Sequence, residues 1–470
     1  MVEIIGAMLL ALMAGIAAVM ALDKRHSRTV ATLASLLVAI LAIAVLINAI
    51  VSGTVASTES YMYYIQSLNI GFTFQITPIS LALLVMASIV SFATIFAGNV
   101  EKENEKGASA LLLLFELSAI GLFTSANLLI FFVFWDIGVI ALFFMIYLLG
   151  SANRRRAAVK FLMYEILASL LLLLGIMMIY FYTPLHSLDI QYIVLNAHLI
   201  NQNIQSLIFL ILFSAFLINM PVFPVHLWLP EAHTEASTQG SMVLSGVLTK
   251  FGGYGMILLF SMLPISLSYS QDIAFLAIVS AFYSAFVLMR QNDIKRIVAY
   301  TTIVEMSVIL LGITAMNGFG TYGATYAMLA HGLAISMLFL AAGSVGHMFG
   351  DRDIRSVKGV VSTSLSTAYT FLIGTFATTG VPLTAAFIGD ILIFSGAQSS
   401  FGNIGLLPLG ALILTGAFLY FVLNRSFLAA KNSSKNVEYI GLSQKIGFGI
   451  LMFAVIAFGV LPFAILKLFA

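Results

Sequence analysis

The chain has 470 residues, 61% of them hydrophobic and only 9% charged, with a mean hydropathy of +1.08. Soluble domains carry roughly 25% charged residues, so this composition is that of a polytopic α-helical membrane protein. A net charge of +2 offers no field for nucleic acid, and the lack of cysteine excludes disulfides, cysteine-ligated iron–sulfur clusters and thiol chemistry.

Apolar runs of about 20 residues mark membrane spans. In chain order they fall near 2–22, 29–52, 77–99, 107–124, 127–150, 157–181 and 205–234. The rest follow near 237–264, 272–290, 297–316, 320–348, 362–399, 404–424 and 446–468. This predicts an all-α fold of about fourteen spans in a single transmembrane domain over 1–470, with no linker or low-complexity segment. The first apolar run follows Glu3 and no basic residue, so it reads as a retained helix rather than a secretory signal. The chain is expected to stop after span fourteen without a lateral extension helix.

Spans seven and twelve are unusually long, and each contains proline: Pro221 and Pro224 in one, Gly380-Val-Pro382 in the other. A helix entering such a stretch kinks or unwinds. Matching interruptions in two halves predict an inverted-repeat transporter with a site near the midplane, spans 4–8 (108–265) and 9–13 (272–425), followed by a final helix at 446–468.

Lys and Arg fall on one side if every span crosses once. They are Lys24, Arg25 and Arg28; Lys102 and Lys106; Arg154, Arg155 and Arg156; Lys295 and Arg296; Arg352, Arg355 and Lys358; then Arg425, Lys431, Lys435 and Lys445. The loops 53–76 and 182–204 carry none, which predicts both termini outside. Arg154–Arg156 read as an inside anchor in preference to an anionic-lipid contact, and Tyr61, Tyr63 and Tyr64 as headgroup-level belt residues.

Within the spans lie Glu116, Asp136, Glu165, Lys250, His331, Glu305 and Asp390. Charge in hydrocarbon costs several kcal/mol, so these groups face the interior, partners or water. For any one of them, an interhelical pair that only holds helices together is the simpler reading. Acids alternating with a lysine and a histidine suit a proton relay, because a carboxylate and an ammonium in contact titrate as a unit. His226 and His233 are seven apart, but Pro224 and Pro230 spoil the helical register. Without a third ligand at suitable spacing, capping or interfacial roles fit them better than a metal or haem pair. No phosphate loop, dinucleotide fingerprint or metal motif is present, and no cofactor is expected.

The stretch Pro-Val-His226-Leu-Trp-Leu-Pro-Glu-Ala-His233-Thr-Glu-Ala, followed by Leu-Ser-Gly-Val-Leu-Thr-Lys250-Phe-Gly-Gly-Tyr-Gly, resembles the antiporter-like subunits of respiratory complex I. The likeness is to the M-type first and the N-type next. Phe134-Trp-Asp136, Asn292-Asp-Ile-Lys-Arg-Ile-Val-Ala-Tyr300, Met328-Leu-Ala-His331-Gly-Leu and Gly380-Val-Pro-Leu-Thr-Ala-Ala-Phe-Ile-Gly-Asp390 extend it over about 108–425. The resemblance implies a proton-translocating subunit of a membrane oxidoreductase, with no redox centre of its own. Its pathway would run through Asp136, Lys250, His331 and Asp390, with Glu116, Glu165, Glu305, Asn219 and His226 beside it.

Implied partners are neighbouring antiporter-like subunits, small hydrophobic subunits, lipid and redox subunits elsewhere in the complex, in a prokaryotic plasma membrane. Related subunits serve membrane-bound hydrogenases, F(420)-dependent dehydrogenases, sulfur-reducing complexes and multisubunit sodium/proton antiporters. The rival expectations are therefore a sodium/proton antiporter subunit and a non-pumping spacer of the membrane arm. Four positions depart from the family pattern: Asp136 for Glu, Asp390 for Glu or Lys, Glu305 for His, and Asn219 for the lysine expected to partner the acid of span five.

Overall fold

Long apolar segments, closed by polar or glycine caps, set the architecture of the computed structural model, which describes residues 2–53, 55, 60–65, 70–98, 104–430 and 440–469. The N-terminal helices are α1 (Val2–Ala21) and α2 (Lys24–Ser52), the latter stopped by Gly53 in the left-handed region at φ 67°. A hairpin absent from the sequence prediction follows, β1 (Ser60–Ile65) antiparallel to β2 (Ile70–Phe74). The side chains of Tyr61, Tyr63 and Tyr64 lie outside the described residues, as do Lys102, Lys431 and Lys435.

Helix α3 (Pro78–Ala97) begins with a capping box between Thr77 and Ser80, and proline at its first position suits a helix start. Next come α4 (Glu105–Thr124), α5 (Leu128–Leu149) capped by Asn127, and α6 (Arg154–Tyr182). The loop expected at 182–204 contains a short helix, α7 (Ile190–Asn196), capped by Asp189.

Predicted span seven is two pieces, α8 (Gln202–Asn219) and α9 (Leu229–Glu235), joined by a proline-rich turn. Span eight is also interrupted: α10 (Thr238–Val243) runs through a π turn, Leu244–Leu248, into α11 (Thr249–Met262). Then follow α12 (Ser266–Leu288), α13 (Ile294–Thr314) capped by Asp293, and α14 (Gly318–Phe349) capped by Asn317. A short turn of helix, α15 (Val360–Thr363), leads into α16 (Leu365–Thr378) and α17 (Ala385–Phe401). The chain closes with α18 (Pro408–Val422), α19 (Leu442–Val460) and α20 (Phe463–Leu466).

Thirteen helices among the described residues are long and apolar enough to cross a membrane. The difference from the predicted fourteen is span twelve, whose halves α16 and α17 have 14 and 17 residues and fall short singly. The apolar stretches of α13 and α14 are wholly buried, whereas those of α1 and α6 are one-third buried. The polar centre therefore sits around α11, α13 and α14, and the peripheral helices turn apolar faces outward.

Candidate functional site

The first broken helix satisfies its own freed backbone. Prolines 221 and 224 end α8, and the Ile218 carbonyl accepts from the Trp228 indole at 2.9 Å. The Phe223 N–H donates to Ser280 Oγ at 3.0 Å. Irregular backbone at membrane depth persists only when protein or water supplies such partners.

Asn219, the last residue of α8, is fully buried. Its side-chain N–H donates to Glu165 Oε2 at 3.0 Å, and its oxygen accepts from the Gly252 N–H at 2.8 Å. A Cβ on Gly252 would stand 2.7 Å from the Phe216 carbonyl oxygen, so glycine is what allows α11 to approach α8 this closely. An amide both donates and accepts, whereas an ammonium only donates. Asn219 thus pairs with Glu165, not with the span-five acid the sequence suggested. Asp136 instead accepts from Ser169 Oγ at 2.5 Å on the half-buried face of α5 and α6, near enough to Glu165 for their charges to interact.

Lys250 is fully buried in the first turn of α11. Its ammonium nitrogen lies 2.6 Å from His331 Nδ1, 2.5 Å from the Ser245 carbonyl oxygen and 3.3 Å from Thr249 Oγ1. Ser245 belongs to the π turn, which leaves its carbonyl to the Thr249 hydroxyl and the lysine. Glu305 lies within electrostatic reach of both Lys250 and Asp390. Nε2 of His331, Oε1 of Glu305 and Oδ1 of Asp390 have no partner among the described residues, and buried groups of this kind are where internal water binds.

Asp390 sits at the second break. Gly380, at φ 64°, and Leu383, at φ 75°, turn the chain between α16 and α17, and the Asp390 carboxyl packs against Gly380 where a Cβ would stand. A cavity of about 710 Å³ lies beside it, between α17 and α18.

Several residues fall elsewhere than the sequence suggested. His233 stacks on Phe339 at 4.3 Å, and its charge would be felt by Lys250, Lys295 and His331, so it belongs to the central group. His226 lies among the rings of Phe223, Tyr283 and Tyr300, and His233 stacks on a different ring, Phe339. Glu116 is buried in α4 opposite Ser35 of α2.

Lys295, counted from sequence among the cations of the inner loops, is buried and donates to the Ala236 carbonyl at 2.7 Å. Together with Arg352, which donates to Thr234 O at 3.0 Å, it closes the C-terminal end of α9. Asp293, as the cap of α13, sets the register that turns Lys295 inward, and that was the available signal. A polar cavity of about 300 Å³ opens nearby, lined by Asn153, Arg156, Glu231, Thr234, Glu235 and Arg296.

Two broken helices, a buried lysine–histidine contact and a file of intramembrane acids define a polytopic ion-translocation type of membrane subunit. Residues 125–415 match the family described as NADH:quinone oxidoreductase/Mrp antiporter, transmembrane, and the chain belongs to that family as an antiporter-like membrane subunit. It is 32% identical over 422 residues to NADH-quinone oxidoreductase subunit M of Rickettsia bellii, covering 88% of this chain and 84% of that one. It is 29% identical over 393 residues to F(420)H(2) dehydrogenase subunit M of Methanosarcina mazei, covering 80% and 79%. Its fold matches a chain of respiratory complex I from Thermus thermophilus with a TM-score of 0.89 at 23% identity, covering 98% and 96%.

Proposed function

We propose that this chain carries protons across a prokaryotic plasma membrane as a non-redox subunit of a complex I-related oxidoreductase. Electron transfer elsewhere in the complex would drive it through neighbouring antiporter-like and small hydrophobic subunits, with lipid around them. The observation that carries the reading is the contact between Lys250 and His331, buried at the π turn of span eight.

Two nitrogens 2.6 Å apart share a proton, and a change in their separation changes which one holds it. Protons enter from the Lys/Arg-rich face through the cavity at Glu231 and Glu235, with His233 between that face and Lys250. From the Lys250–His331 pair they pass by water to Glu305 and Asp390, and the Asp136–Glu165–Asn219 group biases the cation from the other side. The breaks at α8/α9 and α16/α17 support a division into two repeats, 108–265 and 272–425.

Lys250→Ala in the reconstituted complex is expected to abolish proton movement while most electron transfer remains. Normal pumping by the assembled variant would leave a spacer role in the membrane arm. Transport that depends on sodium would favour the antiporter reading.

A further inference from the structure

A cavity of about 500 Å³ opens on the Lys/Arg-poor face, between α11 on one side and α13 and α14 on the other. Thr77, Ser125, Ser261, Asn317 and Thr321 give its walls hydroxyl and amide groups, and among the described residues no charged side chain lines it. Its deep end includes Tyr254, eight residues before the end of α11 at Met262 and so about 12 Å inward along the helix. Lys250 lies one further turn in, about 6 Å along the axis.

At this depth, where α11 meets α4 and α5, is a layer of rings. Phe123 and Phe131 pack on Tyr254 at 5.7 and 6.3 Å; Phe123, Phe115 and Trp135 pack on Phe251 at 5.5, 6.0 and 6.3 Å. All five of these residues other than Tyr254 are fully buried. Within the layer the Trp135 indole N–H has no partner among the described residues. An unpaired buried donor is costly, and a water molecule entering the layer would relieve it.

We propose that this cavity is an outward-facing water vestibule, and that the ring layer beneath it is a dry gate between outside water and Lys250. Hydrophobic constrictions gate by dewetting. When the layer wets, the Lys250 ammonium passes a proton to water, the water chain hands it past the Tyr254 hydroxyl to the vestibule, and the neutral amine is reprotonated from the His331 side. The inference rests on Lys250 being a proton carrier. It adds a direct outer route at the centre of the molecule to the one that ends at Asp390.

The test uses the assembled complex in vesicles. The chain has no cysteine, so single cysteines at Ser261 and Thr321 report the vestibule. Both are expected to react with a membrane-impermeant maleimide from the outer face, and failure of both to react would overturn the vestibule. Phe123→Ala is expected to raise the passive proton leak several-fold under an imposed pH gradient without electron donor, and adding Lys250→Met should remove that leak. If Phe123→Ala does not assemble, Phe123→Leu thins the layer and is held to the same expectation. An assembled variant that stays tight, or leaks equally without the lysine, overturns the gate. Lys250 proving dispensable for pumping would instead defeat the functional reading itself, so the two failures are distinguishable.

Discussion

At Asn219 a single amide satisfies two buried groups of opposite demand, the Glu165 carboxyl and the Gly252 N–H. The presence of intramembrane charges was legible in the sequence, because an ionisable residue inside an apolar run is conspicuous. Their pairing was not, since Asn219 and Glu165 are joined only when α6 packs on α8. Lysine at 219 would meet Glu165 as an ion pair but would leave the Gly252 N–H without its acceptor, at about 1–3 kcal/mol. Asn219→Lys is therefore expected to lower the thermal stability of the complex and reduce its pumping, because a fixed positive charge replaces an amide beside Glu165. Thermal denaturation with parallel proton-pumping assays would show it; a variant as stable and active as wild type would refute the dual role. Gly380→Ala should displace Asp390, since the new Cβ would occupy the place of that carboxyl, and should strain the left-handed turn between α16 and α17. Loss of pumping with electron transfer retained is the expected result.

At the scale of elements, both breaks were visible as proline and glycine within long apolar runs. The π turn at Leu244–Leu248 was not: its Leu-Ser-Gly-Val-Leu lies within one continuous apolar run, and only packing shows that the Ser245 carbonyl is given to Lys250. The hairpin before α3 was equally hidden, because aromatic and β-branched residues there also fit a membrane interface. Helix α9 has seven residues, too few to be stable alone, so its ends must be held from outside. Lys295 and Arg352 hold the C-terminal carbonyls, and Lys160 holds Glu231 at 2.7 Å. Removing the buried donor with Lys295→Met should lower the local opening free energy of α9 by roughly 1–3 kcal/mol. Hydrogen exchange of the 229–236 amides is expected to quicken accordingly, with the amides of α14 unchanged. Equal protection in variant and wild type would mean that Arg352 alone suffices as the cap.

For the whole molecule, cations that the orientation rule reads as anchors also tie elements together on one face. Arg352 pairs with Asp293 at 3.1 Å, Lys358 donates to the Arg425 carbonyl at 2.7 Å, and Lys106 donates to the Leu22 carbonyl at 3.1 Å. The sequence pattern alone places these loops on one side; of its cations, Arg156 and Arg296 line the polar cavity at Glu231 and Glu235. If that face is the inside, cysteine at Arg155 and cysteine at Asn203 must lie across the bilayer from each other, since α6 crosses between them and α7 does not. Both residues are exposed, so labelling reads topology rather than burial. An impermeant maleimide applied to intact cells should modify the cysteine at 203 and spare the one at 155, with inside-out vesicles giving the reverse. Modification of both from the same side would remove one crossing from the count, and with it the outward placement of both termini.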